Sequence, residues 1–540
     1  MKAFLMHRDR DFDPQPGWAW CEQSLIQDLE LDTLLRAMAG NDDFLFDMAR
    51  KALLSGFGND VDTILYRQAI LKDCLRNPDI VKELYDLMVA MIARAKKEWW
   101  GLSSHYPSSM LYSSLDLLEA SAAVLRKLRR VAEERTSGFE SDGFTALFAM
   151  LRKELSDEYV ATIQGHLAEL RFRWGTLLSA ELGENNEGAD YALRQGAQKE
   201  PSWLARILGK GPPSYTFHIA ERDETGARIV GEMRRQGISR VAIAVAQSAN
   251  HVLSFFKMLR TELAFYVGCL NLHARLLAKN EPVCFPTPEP AGERRHRFNG
   301  LYDVCLSLHV EGTVVGNTTN ADGRNLIIVT GANQGGKSSF LRSIGLAQLM
   351  MQCGMFVGAE TFRAEICSAL FTHYKREEDS TMKSGKFDEE LARMSEIADH
   401  VAPNSLVLFN ESFAATNERE GSEIAKQIVR ALLEKRIKVF YVTHLYEFAR
   451  GFFDTRTEDV LFLRAERQAD GTRTFKLLEG EPLETSYGED LYRQIFDSND
   501  ELENGQPKAA SSTVIGWKVF AQPKAKDERP PSEVGSTAGI

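Results

Sequence analysis

The chemically richest stretch of the chain is Thr330-Gly331-Ala332-Asn333-Gln334-Gly335-Gly336-Lys337-Ser338-Ser339. It fits the pattern G-x-x-x-x-G-K-[ST], with the β-branched run Leu326-Ile327-Ile328-Val329 before it and a helix-patterned segment from Phe340 to Met351 after it. In such a strand-loop-helix the glycines let backbone N–H groups turn inward around a phosphate chain, and the helix presents the positive end of its dipole. Lys337 adds a mobile positive charge, and the Ser338 hydroxyl is placed to hold a magnesium ion. Gly331, Asn333, Gly335, Gly336, Lys337, Ser338 and Ser339 are therefore the candidate nucleotide-binding residues.

Two later strand patterns end in polar groups. Ser405-Leu406-Val407-Leu408-Phe409 runs into Asn410-Glu411, the form of a strand whose tip serves a phosphate site. The usual pair there is Asp-Glu, one steadying hydrated magnesium and the other polarising the attacking water. Asn410 offers an amide oxygen but no negative charge, which predicts weaker metal binding, while Glu411 keeps the general base. Lys438-Val439-Phe440-Tyr441-Val442 precedes Thr443-His444, placing His444 at a strand end, where it can hydrogen-bond a terminal phosphate and respond to its hydrolysis.

Residues 330 to 354 resemble the nucleotide site of MutS-type ATPases, whose loop reads TGPNMGGKS before an apolar helix. Ser405 to Glu411, Thr443-His444 and Ser486-Tyr487-Gly488 follow in that family's order, so the resemblance covers roughly residues 240 to 490. It implies ATP and Mg2+ as cofactors, ATPase activity with Glu411 and His444 catalytic and Ser338 and Asn410 at the metal, DNA as a partner, and a homodimer. The family's G-x-S-T-F segment, which completes the partner subunit's site, aligns with Lys383-Ser384-Gly385-Lys386-Phe387, where the Ser-Thr pair is lost. The loop after Glu411 reads Ser412-Phe413-Ala414-Ala415-Thr416 instead of a Gly/Ser/Thr-rich run. The place where the family stacks an aromatic on adenine falls at Val314-Val315-Gly316-Asn317, which predicts loose base selectivity. Residues 1 to 110 hold no counterpart of the Phe-x-Glu wedge of mismatch-reading members.

At 540 residues the chain is long enough for several domains, and its 44% hydrophobic and 26% charged residues are those of an ordinary soluble protein. A net charge of -11 excludes a wholesale nucleic-acid coat but not a local basic surface. The seven cysteines are scattered without a C-x-x-C pair, which reads as reduced core thiols. No apolar run approaches a membrane span and no signal-peptide core opens the chain, so the expected location is cytoplasmic, without membrane contact.

In chain order, residues 1–22 read as an irregular lead-in, and helical patterning follows. A capped helix start is expected at Ser113 and Asp116, helices are expected between Phe144 and about Leu182, and a short strand at Ser214 to Ile219. Arg126, Lys127, Arg129 and Arg130 read as a solvated helix face. From Val241 to Lys279 apolar residues recur at threes and fours without proline, predicting a continuous lever helix of about 60 Å. From Leu301 to Phe496 strands alternate with helices, the mark of a mostly parallel sheet. The expected architecture is multidomain: an α-helical core with the lever helix over 23–290, an α/β phosphate-loop ATPase domain of ABC type over 300–496, and a mostly disordered tail over 497–540. The function implied is nucleotide-gated DNA binding in mismatch repair or related repair and recombination; the alternative is an ATP-dependent dimerisation switch with little turnover and no mismatch recognition.

Overall fold

The computed structural model describes residues 1–14, 21–102, 106–172, 175–184, 186–194, 215–376, 385–456, 458–468 and 471–483. Helices α1 (Glu22–Asp28), α2 (Leu31–Ala39), α3 (Asp43–Leu54), α4 (Val61–Arg76), α5 (Pro78–Leu102), α6 (Pro107–Glu134), α7 (Asp142–Glu154) and α8 (Asp157–Leu170) come first. Several begin where a short polar side chain satisfies free N–H groups. Asp42 accepts from Phe44 and Leu45 at 2.8 and 3.2 Å, Asp60 from Thr63 at 2.8 Å, and Ser156 from Tyr159 at 3.2 Å.

Four sequence expectations fail here. α6 starts at Pro107, a residue suited to the first helical turn, so Ser113 and Asp116 lie inside the helix rather than capping it. Arg129 is not merely solvated: it bridges Glu133 at 2.8 Å and Asp157 at 2.6 Å, tying α6 to α8. Helix ends at Leu170, and β1 (Leu178–Leu182) pairs antiparallel with β2 (Gly188–Leu193). The expected strand at Tyr215–Ile219 is irregular, with Tyr215 90% and Phe217 78% exposed, because no described strand pairs with it. The Gly209–Pro213 break lies outside the described residues.

α9 (Glu224–Ala278) is a single helix of 55 residues, about 80 Å at 1.5 Å per residue. It begins at the cap Asp223, which accepts from Gly226 N–H at 2.8 Å, rather than near Val241. At Gly237 the missing side chain lets the hairpin in: a Cβ there would lie 2.4 Å from Leu178 Cδ2. From Leu253 onward α9 is buried among α2, α3 and α5.

The remaining elements are β3 (Thr287–Glu289), β4 (His296–Leu301), α10 (Val304–His309), β5 (Asn317–Asn320), β6 (Leu326–Gly331), α11 (Lys337–Gln352), β7 (Thr361–Glu365), β8 (Leu370–Tyr374), α12 (Lys386–His400), β9 (Leu406–Asn410), α13 (Glu418–Glu434), β10 (Lys438–Val442), α14 (Tyr446–Asp454), β11 (Val460–Arg467) and β12 (Arg473–Glu479). The larger sheet runs β12-β11-β6-β10-β9-β8, parallel except for β12, and the smaller runs β3-β7-β4-β5. β6 and β10 are buried at every residue, as strands covered on both faces must be, which is why they read as unbroken apolar runs. Among the described residues no helix is long and apolar enough to cross a membrane.

Helices and sheet share one apolar cluster that includes Leu29, Leu53, Phe256, Ile344, Met350 and Leu408. α11 sits between the two layers. Gly345 allows the contact, since a Cβ there would lie 2.7 Å from Leu29 and 2.9 Å from Leu408.

The first twelve residues are irregular in backbone, yet Ala3, Leu5, Met6 and Phe12 are buried, with Leu5 and Met6 fully enclosed. Lacking a ladder, their polar groups are satisfied by side chains. Glu262 of α9 accepts from Leu5 N–H at 2.6 Å and Phe12 N–H at 2.9 Å, Tyr266 donates to Leu5 O at 2.5 Å, and Arg67 of α4 donates to Met6 O at 2.7 Å. Burial pushes the Glu262 carboxyl up from 4.5 to about 7, with the two N–H donors opposing the shift. A raised acid pKa means the folded state holds a proton that the unfolded chain has lost, so the contribution is full below about pH 4.5 and lost as pH rises through about 7. Glu262→Gln should therefore flatten the pH dependence of unfolding between pH 5 and 8, a slope of roughly 3 kcal/mol in the parent at about 1.4 kcal/mol per pKa unit. Urea unfolding at both pH values checks this; an unchanged slope refutes it.

Candidate functional site

The register of three parallel strands decides which side chains meet. Val442 of β10 lies beside Val329 of β6 on one side and Asn410 of β9 on the other. The residues that follow each strand thus leave the same sheet end: the loop 332–336 after β6, Glu411 after β9, and Thr443-His444 after β10.

The loop is shaped by two glycines in left-handed conformation. Gly331 has φ 108°, and a Cβ there would lie 2.8 Å from Ala465 N of β11; Gly336, at φ 85°, is the residue from which α11 starts. Lys337 is buried in the first turn, its Nζ donating to Gly331 O at 3.1 Å and Ala332 O at 2.8 Å. Burial brings its pKa down to about 8, Glu411 works against that shift, and Arg473 of β12 adds to it. Asn333 and Ser339 stand half-buried on the same loop and turn, Gly335 is buried, and Ser338 is exposed.

Ser338 Oγ donates to Asn410 Oδ1 at 3.1 Å, so the two expected metal residues touch. Among the described residues no group of three or more His, Cys, Asp and Glu stands ready to hold a metal. The donor set is instead a hydroxyl and an amide oxygen. Both are hard oxygen ligands, which suit a magnesium ion that keeps most of its coordination for water and phosphate.

Glu411 takes φ 53°, an unusual conformation for a side chain of its size. Its N–H bonds to Val442 O at 2.9 Å, and its Oε1 meets His444 Nε2 at 3.0 Å. That hydrogen bond, ahead of the opposing effect of burial, holds the Glu411 carboxyl below the usual carboxylate range. The turn is braced from beneath. His373 Nδ1 lies 2.7 Å from Ser412 Oγ, Tyr441 donates to Ser412 O at 2.9 Å, and the His373 ring stacks on Phe413 at 5.2 Å. Thr443 caps locally, accepting from Leu445 N–H at 2.9 Å.

Sequence reasoning missed β12. Phe475, at φ 58° and 47% exposed, faces the start of α11, where a Cβ on Gly336 would meet its ring at 3.5 Å. Asn317 joins it to the segment that lacks an aromatic: its Nδ2 donates to Phe475 O at 3.2 Å and its Oδ1 accepts from Leu477 N–H at 2.8 Å. Arg473 lies on the same strand. The available signal was an aromatic among alternating polar residues in an antiparallel edge strand, which no motif marks. Of the trans segment, Ser384 lies outside the described residues, while Phe387 packs, half-buried, on a second apolar cluster beneath α12. Ser486-Tyr487-Gly488 also lies outside them.

The family model for the MutS2 N-terminal domain matches residues 59–279, and that for MutS domain V matches residues 327–498. The chain belongs to the MutS family. MutS protein homolog 4 of Mus musculus is 29% identical over 203 residues, which are 35% of this chain and 20% of that protein. DNA mismatch repair protein MutS of Leptospira interrogans serogroup Icterohaemorrhagiae serovar Lai is 28% identical over 280 residues, 48% of this chain and 31% of that one. The same-named protein of Streptococcus mutans serotype c is 28% identical over 301 residues, 51% and 34%. The chain thus spans a fifth to a third of the length of these curated relatives.

The Glu411–His444 contact has a direct test. His444→Ala should raise the Glu411 pKa, read as its carboxyl carbon shift against pH by NMR. A titration that stays where the parent has it shows that something else holds the carboxylate ionised.

Proposed function

We propose that the chain is an ATPase that binds Mg-ATP in the loop Gly331 to Ser339, hydrolyses it, and couples nucleotide state to DNA binding as a dimer, in mismatch repair or a related repair or recombination process. The observation that carries this reading is the convergence, at one sheet end, of Lys337, the touching pair Ser338 and Asn410, and the pair Glu411 and His444. The relatives named for DNA mismatch repair supply the process.

On this reading the loop N–H groups and the α11 dipole receive the phosphates, and Lys337 exchanges its carbonyl partners for phosphate oxygens. Phe475 offers a flat apolar face to the base, filling the role that Val315 lacks the shape for. Glu411, kept ionised, accepts the proton of the attacking water, and His444 fixes the carboxylate's orientation. Bound magnesium would supply charge neutralisation of the phosphates, held through Ser338 and Asn410. The segments 23–290 and 300–496 act as helical core and ATPase, with α9 as the lever. At its outer end the exposed residues Arg222, Arg228 and Arg240 offer cations to a DNA backbone.

Two variants test the assignment together. Lys337→Ala should weaken ATP binding roughly 10- to 100-fold, the worth of one or two charge-assisted hydrogen bonds. Glu411→Gln should leave ATP binding intact and slow hydrolysis by roughly two to four orders of magnitude. Calorimetry and phosphate release read the two effects; unchanged binding in folded Lys337→Ala refutes the nucleotide site.

A second reading, an ATP-gated dimerisation switch with little turnover, is favoured by the uncharged Asn410. Asn410→Asp restores a carboxylate without changing side-chain size and should strengthen metal binding by on the order of 1 kcal/mol. The magnesium concentration for half-maximal nucleotide binding should then fall; no change, or a rise, means that Asn410 does not serve the metal.

A further inference from the structure

At the opposite end of the larger sheet, where β6, β9 and β10 begin, lies a cavity of about 160 Å³. It is separate from the loop of Lys337 and independent of the function proposed above. Its wall carries Lys438, the first residue of β10, only 6% exposed, and its floor includes His296, 1% exposed. Arg294 and Arg436 reach it from the surface.

The charge balance favours an anion. Glu365 is the acidic residue of the lining, and it is already compensated: one oxygen lies 2.7 Å from Lys438 Nζ, the other accepts from Gly292 and Arg294 N–H groups at 2.9 and 3.0 Å. Arg294 reaches Asp459 at 3.4 Å, a half-exposed pair of little strength. The two guanidinium groups therefore leave the cavity positive. His296 supplies a second observation: its Nε2 is buried without a hydrogen-bond partner, a costly condition for a polar atom. Burial, and then Lys438, hold its pKa well below 6.5, so the ring is neutral and Nε2–H can donate without adding charge. The volume equals that of about five waters at roughly 30 Å³ each, enough for a tetrahedral oxyanion and too little for a nucleoside.

We propose that this cavity is a second anion site, which takes a phosphate group on Lys438, His296 Nε2–H, Arg294 and Arg436. The group is either free phosphate or the terminal phosphate of a longer molecule whose remainder stays outside the two arginines. Bound there, it ties the start of β10 to the start of β4.

The test uses the full chain carrying Lys337→Ala, so that phosphate binding by the loop is weakened. Equilibrium dialysis with radiolabelled inorganic phosphate should show one saturable site per chain. Arg436→Ala, a surface change with little risk to folding, should weaken that site at least tenfold, and Lys438→Met should remove it. In imidazole-labelled protein the His296 Nε2 resonance should move with the same midpoint. Competition by a 5′-phosphorylated dinucleotide, and not by its 5′-hydroxyl form, would show that the site takes a terminal phosphate; competition by neither would restrict it to the free ion. Absence of saturable binding, or binding indifferent to both substitutions with a static His296 signal, overturns the proposal.

Discussion

The ladder that sets Val442 beside both Val329 and Asn410 is the constraint on which the candidate site rests. Parallel strands in register end together, so three loops remote in sequence leave from one edge. Because these strands are apolar on both faces, their polar ends fix the register: a one-residue slip of β10 would separate its first residue, Lys438, from Glu365 and leave the ammonium unpaired. The same ladder that brings Lys337, Asn410, Glu411 and His444 together at one end gathers the polar cavity around Lys438 at the other.

The helical half grips the sheet through α11. At one end of that helix Arg342 pairs with Asp303 and with Glu30, the residue between α1 and α2. At the other, Asn59 donates to Gln352 O at 2.8 Å, and Cys353 Sγ lies 3.3 Å from Ala52 O of α3. The helix that begins with Lys337 is thus anchored to α1 through α4 and, through the buried N-terminal segment, to Glu262 and Tyr266 of α9. A shift of α11 on ligand binding has a packed route to the long helix, with interfaces that fit in discrete ways rather than deform continuously.

Much of this was legible in the sequence where local chemistry decides structure. The glycines, Lys337 and the apolar strands announced the loop, and the spacing of Leu253 to Leu277 announced a long helix. What escaped was set by partners distant in the chain. The run from Gly183 to Gly188 reads as a turn, but nothing local in Leu178 to Leu182 distinguishes a strand from the end of a helix; Gly237, some fifty residues on, makes room for the hairpin. Phe475 gains its place from Gly336 and Asn317, and the first twelve residues, which read as a lead-in, are held by α4 and α9. Ser113 misled because a capping residue and a mid-helix serine look alike until the upstream Pro107 is seen to start the helix.

The most direct test of the account is a crystal structure of the chain with a non-hydrolysable ATP analogue and magnesium. The account predicts the triphosphate within the loop 331–338, Lys337 released from the carbonyls of Gly331 and Ala332, and the base against Phe475. A triphosphate bound elsewhere, or Lys337 still on its own loop carbonyls with the analogue present, would contradict it.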